Sequence, residues 1–241
     1  SSAIGGTVNV LTKLPRKNSY DLNYTYQNIN GQSSDHIINA NFTAVSKERD
    51  MGVSLFLNGR RRELYDHNGD EYSELPELKN NSFGITSFYL PKKNHKLELS
   101  LSNLNEYRYG GEMRKDVEPH LRGQAEERTH TVWMVSTDYQ INFNKALSSF
   151  IAYMAYQNTS RDHYTGIFPD DSLGAEIHLS NPPYGLSDVS TSNVGVQLNH
   201  KLLDFIIPGT NVLTFGAEYL YDAVYDEIPA YNYMVDQSTQ D

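Results

Sequence analysis

The chain has 241 residues, a formal net charge of −10 and no cysteine, with 38% hydrophobic and 12% aromatic residues that include eighteen tyrosines. The acidic balance argues against nucleic acid as a partner, and the lack of cysteine excludes disulfides, thiolate zinc clusters and a thiol nucleophile. The apolar share is low for a thick two-sided core. No apolar run approaches the ~18 residues of a transmembrane helix, which leaves a membrane barrel open.

The chain opens on SSAIGGTVNVLTK, small residues and the pair Gly5-Gly6 leading into the alternating run Thr7 to Thr12. From Tyr20 the alternation is strict. Tyr20, Leu22, Tyr24 and Tyr26 make one face, and Asp21, Asn23, Thr25 and Gln27 the other. Successive strand side chains point to opposite faces, so this is a strand with one apolar and one wet face. Ile38, Ala40, Phe42 and Ala44 repeat it, then Met51, Val53, Leu55 and Leu57, where Phe56 breaks the polar side. Leu97, Leu99 and Leu101 follow, then Trp133, Val135, Tyr139, Ile141 and Phe143. Val194, Val196 and Leu198 come next, and Leu213, Phe215, Ala217, Tyr219 and Tyr221 last. Blurred patterns near 83–90 and 147–158 bring the expectation to about nine strands.

Between the strands the connections alternate in length. Short ones are expected at 46–50, 91–94 and 144–146, with 203–209 somewhat longer, and long polar ones at 61–81, 110–128 and 159–190. The hairpin tip at 30–34 is short but falls on the long-loop side. An up-and-down sheet puts alternate turns at opposite ends. Short turns on one side and long loops on the other are the layout of an outer-membrane barrel. A soluble antiparallel protein also has one apolar face per strand. Here, though, the polar faces carry mostly Asn, Ser, Thr, Gln and Gly, and aromatics gather toward strand ends at Tyr20, Tyr26, Tyr139, Phe143 and Tyr221. The reading is all-β: a partial, open segment of an antiparallel up-and-down transmembrane β-barrel.

The opening stretch resembles the end of the plug domain of TonB-dependent outer-membrane receptors, residue by residue over Ser2, Ala3, Ile4, Gly5, Gly6, Val8, Asn9, Val10, Thr12 and Lys13. There a glycine pair, which lets backbone pack closely, leads into a strand just before the barrel. Thr7-Val8-Asn9 stands where the family usually has Val-Ile-Asn. LPKKNHKLELSLSNLNEYRYGGEM, from Leu90 to Met113, and NVLTFGAEYLYD, from Asn211 to Asp222, resemble barrel segments of Bacteroidetes-type receptors, often labelled vitamin B12 or siderophore receptors.

The resemblance implies that 1–13 ends a plug and that 14–241 is the N-terminal part of a barrel which, in full receptors, has about twenty-two strands. It further implies active uptake of a scarce nutrient across a bacterial outer membrane, with no enzymatic role. The partners it implies are a TonB-type energy-coupling complex, a small-molecule nutrient ligand, outer-membrane lipid and a surface lipoprotein. Rival readings are a passive porin-like channel, which needs no plug segment, and a soluble β-sandwich adhesin, which needs no detergent. A barrel lipase or protease would need a compact catalytic group, and no G-x-S-x-G elbow occurs.

Candidate sites fall on the long-loop side. Asp66, Asn68 and Asp70 have the D-x-N-x-D spacing of calcium loops, and Glu77 stands at the twelfth position. Against calcium, Glu71 occupies the place where such loops need Gly, and Pro76 stiffens the exit. The alternative is a plain hairpin tip on Asn68-Gly69, a type I′ signature. Arg60 and Arg61, with Arg62, form a basic run at a strand top, suited to lipopolysaccharide phosphates or an anionic ligand, or else a solvated strand end. Tyr184, in SNPPYG, is a candidate ligand contact within a rigid turn. The eight histidines show no paired metal-ligand spacing.

Overall fold

The computed structural model describes residues 14–114, 116–143, 147–203 and 210–231. The plug-end expectation on 1–13 lies outside the described residues. Nine strands follow in order: β1 (Ser19–Ile29), β2 (Ser33–Val45), β3 (Met51–Arg62), β4 (Glu77–Tyr89), β5 (His95–Gly111), β6 (Gln124–Phe143), β7 (Ser148–Ile167), β8 (Gly185–Leu203) and β9 (Thr210–Glu227). Each pairs antiparallel with the next, in one sheet of order β1 to β9. Among the described residues β1 and β9 each pair on one side alone, so the meander is open, as expected of a partial barrel-like fold.

The registers run from end to end of every pair without a skipped residue. With no bulge, parity alone decides the face of each side chain. Tyr24, Ile38, Leu55, Ile85, Leu101, Val135, Tyr156, Val194 and Tyr219 therefore share one face across all nine strands. That face is open: Tyr20 is 85% exposed, Leu22 67% and Phe215 67%. An apolar surface of this extent on one side of a sheet marks a contact surface, since single scattered exposures would need no explanation.

The other face is polar, and directly opposed residues tie it together. Asn58 Nδ2 donates to Asn39 Oδ1 at 2.5 Å, and Thr214 Oγ1 to Asn199 Oδ1 at 3.0 Å. Hydroxyls pair at Thr43–Ser54 (3.0 Å) and Thr86–Ser100 (3.2 Å). Such cross-strand pairs each contribute a few tenths of a kcal/mol, roughly 0.2–1. Three aromatics also stand here, each laid over a glycine directly opposite: Phe56 over Gly84, Phe88 over Gly52 and Tyr153 over Gly195.

The strands run further than the sequence pattern indicates. Within the expected loops, pairing continues to Arg62, Gly111 and Ile167 and resumes at Glu77, Gln124 and Gly185. The loops proper are 63–76, 112–123 and 168–184. Toward these strand ends the apolar face is interrupted by polar residues, as at Asn105, Thr131 and Ser160, which oppose one another across β5, β6 and β7. Period-two hydrophobicity vanishes there, while the backbone ladder needs no apolar side chain to persist. Two loops carry helix that alternation does not indicate: a 3-10 turn at Pro119–Leu121 and α1 (Ser172–Ser180). Asp171 caps α1, accepting from Gly174 N at 2.7 Å.

The best-packed apolar cluster sits under these loops and not between layers. Leu64, Tyr109, Ala125 and Tyr164 are buried together, with Tyr107, Met113 and Tyr184 against them. Tyr109, Ala125 and Tyr164 have the parity of the apolar face; Tyr109 and Tyr164 stand two same-face positions beyond the polar belt of Asn105, Thr131 and Ser160, and Ala125 three.

Candidate functional site

The tight hairpin turn lies at the β1–β2 tip. Asn30 and Gly31 both have positive φ, 53° and 72°, and Gln32 N donates to Ile29 O at 3.1 Å, a type I′ turn. Asn68-Gly69 is not one: among the described residues Gly69 (φ 81°) has positive φ and Asn68 does not. The 63–76 loop instead forms a side hairpin through the bridge Tyr65–Leu75, held by Glu74 N to Tyr65 O at 3.0 Å.

Within that loop Asp66 organises the chain. Its Oδ1 accepts from Gly69 N at 2.6 Å and its Oδ2 from Glu71 N at 2.9 Å. The Gly69 N–H above all, with that of Glu71, holds the Asp66 carboxyl below the usual carboxylate range. Glu71 takes φ 68°, a left-handed turn without glycine. The carboxylates that converge are Asp66, Asp70 and Glu74, whose oxygens lie within 4.8 Å of one another. Glu77 is not among them; it stands on β4 and pairs with Lys79 at 2.8 Å. Asn68 is spent inside the loop, with Oδ1 accepting from Asp70 N and Nδ2 donating to Asp70 Oδ2, both at 3.0 Å. Of the four residues expected to hold calcium, two share a cluster, joined by Glu74 in place of Glu77.

The arginines of the basic run separate by parity, Arg60 and Arg62 to one face and Arg61 to the other. Arg60 is on the polar face, where its Nη2 meets Asp35 Oδ2 at 2.5 Å and its Nε lies 3.1 Å from Oδ1. Asp35 is 1% exposed, so this is a bidentate pair with one desolvated partner. Arg61 points to the opposite face and is exposed.

Tyr184 is built into the loop cluster. Its hydroxyl is 3.1 Å from His120 Nδ1, and its ring centroid 5.1 Å from that of Tyr164. Burial, helped by nearby Glu127, pushes its hydroxyl up to about 12, so it stays neutral. Around it, His178 Nε2 lies 2.9 Å from the His120 carbonyl and 3.2 Å from the Tyr164 hydroxyl. The Arg122 guanidinium stacks over Tyr109 at 4.3 Å and donates to Val117 O. These contacts pin 112–123 and 168–184 against the ends of β5, β6 and β7. His120 and His178 escape a reading by spacing because they meet only across two loops.

The chain matches none of the protein-family profiles, curated proteins or solved structures with which it was compared.

Proposed function

We propose that this chain is a wall segment of an outer-membrane receptor barrel of the TonB-dependent kind, taking up a scarce nutrient with energy from a periplasmic partner. The observation that supports the reading is a bounded apolar band on one face of an open up-and-down sheet. Its ends are marked by aromatic residues, Tyr24, Phe83, Trp133 and Tyr156 toward the loops and Tyr20, Tyr89, Tyr139 and Phe143 toward the turns. On β6 the band runs from Trp133 to Phe143, about 33 Å of strand. At the ~35–45° tilt of such barrels that is about 25 Å of height, the thickness of an outer-membrane apolar belt. The open edges at β1 and β9 fit a larger ring, because unpaired backbone N–H and C=O groups are not tolerated in lipid.

Fractionation of cells expressing the protein as its gene encodes it tests the placement. Recovery in outer membranes, with a gel mobility that changes on boiling, is the expected result. A detergent-free monomer in the soluble fraction would refute it. Growth on a limiting nutrient with and without the energy-coupling partner tests the mechanism; uptake unaffected by its loss would make the protein a passive channel.

A further inference from the structure

We propose that the loop end of the polar face binds a small, multiply charged anion, bearing phosphate or carboxylate groups, through two adjacent cross-strand rows of arginine and histidine. The proposal rests on the receptor reading at one point, that this face lines a solute-accessible lumen.

The registers build the rows. One runs Arg62, Leu78, Arg108, Arg128 and His163 across β3 to β7. The next runs Arg60, Asn80, Glu106, His130 and Arg161 across the same strands. All ten positions have polar-face parity. Five of the ten arginines of a chain with net charge −10 therefore meet on one patch. Arg108 and Arg128 are directly opposed, and like charges so placed destabilise a sheet. Folding alone would not favour this arrangement.

The carboxylates nearby neutralise it only in part. Asp35 is taken by Arg60. Glu126 is taken by Arg128 at 2.9 Å. Glu106 accepts from Asn80 Nδ2 at 3.2 Å. Arg62 commits its Nε to Pro76 O at 3.0 Å. Arg108 and Arg161 form no ion pair among the described residues. Arg161 Nε, His130 Nε2 and His163 Nδ1 are shielded from solvent yet make no hydrogen bond among the described residues. Buried polar atoms ordinarily have partners, and exceptions call for one to be supplied.

At one end, the patch adjoins a cavity of about 710 Å³ through Arg108, bordered also by Pro76, Gly110, Glu126 and Thr165. Guanidinium groups match phosphate and carboxylate oxygens in pairs. Neighbouring strands lie ~4.8 Å apart, so the unpaired Arg108 and Arg161 stand on strands about 10 Å apart, with Arg128 and His130 between. A ligand with two or three linked anionic groups spans that distance better than a single ion.

Titration calorimetry on the protein as its gene encodes it, extracted in detergent, tests this with pyrophosphate in one arm and citrate in the other. At least one should bind, more weakly as salt rises. Arg108→Gln with Arg161→Gln should weaken it tenfold or more. Arg161→Lys, which keeps the charge and loses the fork, should fall between. Lys79→Gln, on the opposite face, should bind as the parent does. Boiling-dependent gel mobility, measured on each sample, establishes that the variants are assembled. Failure of both anions to bind, or full binding by the assembled double variant, would overturn the site and leave the receptor reading standing. A protein recovered without lipid or detergent would instead sink that reading.

Discussion

The phenyl ring of Phe56 on β3 lies over Gly84, its direct partner on β4, in the space that a Cβ at position 84 would enter. Phe56 is the one apolar residue that breaks the polar alternation of its strand, and the opposing glycine accounts for it. Gly84→Ala should push the ring off its seat and cost roughly 1–3 kcal/mol, as overpacking does. With Phe56→Ala also present the penalty at 84 should largely disappear. A double-mutant cycle by reversible unfolding in lipid measures this; simple additivity would mean that the two residues are not coupled.

Asp66 ties down the 63–76 loop only while ionised. Its carboxyl lies below the usual range in the folded chain, so its contribution is complete above the unfolded value. That contribution is lost as pH falls through the folded value, below about pH 4. Amide exchange at Gly69 and Glu71 should accelerate across that window, beyond the intrinsic change, and Asp66→Asn should abolish the acceleration. In the same loop Glu71→Gly should stabilise by about 1 kcal/mol, since φ 68° strains any residue with a Cβ. A lower melting temperature for that variant would contradict the argument.

The two faces should respond oppositely to charge. Arginine placed at Leu55, Leu99, Val135 or Val196 should cost roughly 2–4 kcal/mol near the middle of a bilayer. The same change at Asn39, Ser100 or Gln197 should cost much less. Unfolding titrations in lipid vesicles compare them, and equal costs on both faces would contradict a lipid-facing assignment.

Loop sidedness is open to labelling, because the native chain has no cysteine. Cysteines at Asn68, Glu118 and Leu173 should react with an impermeant maleimide on intact cells. Cysteines at Lys47 and Lys93 should react only after the outer membrane is broken. The reverse pattern would turn the sheet over.

Alternation located seven of the nine strands cleanly, because each lies between an apolar and a wet surface; β4 and β7 showed it only as a blurred pattern. It fixed the short turns at 46–50 and 91–94 for the same reason. It could not find where β5, β6 and β7 end, since beyond Leu101, Trp133 and Tyr156 the apolar face is interrupted at Asn105, Thr131 and Ser160 while the backbone pairing continues. Nor could it indicate α1, a nine-residue helix with a short polar cap inside a loop.

The candidate residues show the same division. Asp66, Asn68 and Asp70 are close in sequence, so their loop was legible, but the third convergent carboxylate was not: local turns bring in Glu74, while strand pairing carries Glu77 away to Lys79. Arg60 and Arg61 read as one basic run, yet parity sends them to opposite faces. Arg62, Arg108, Arg128 and Arg161 have no common spacing along the chain. Cross-strand register alone makes them neighbours, because antiparallel pairing joins residues whose separation depends on the length of the intervening turn. Composition and period determined the one-sided sheet; which polar residues meet on it was decided by strand register and loop packing, which no local pattern encodes.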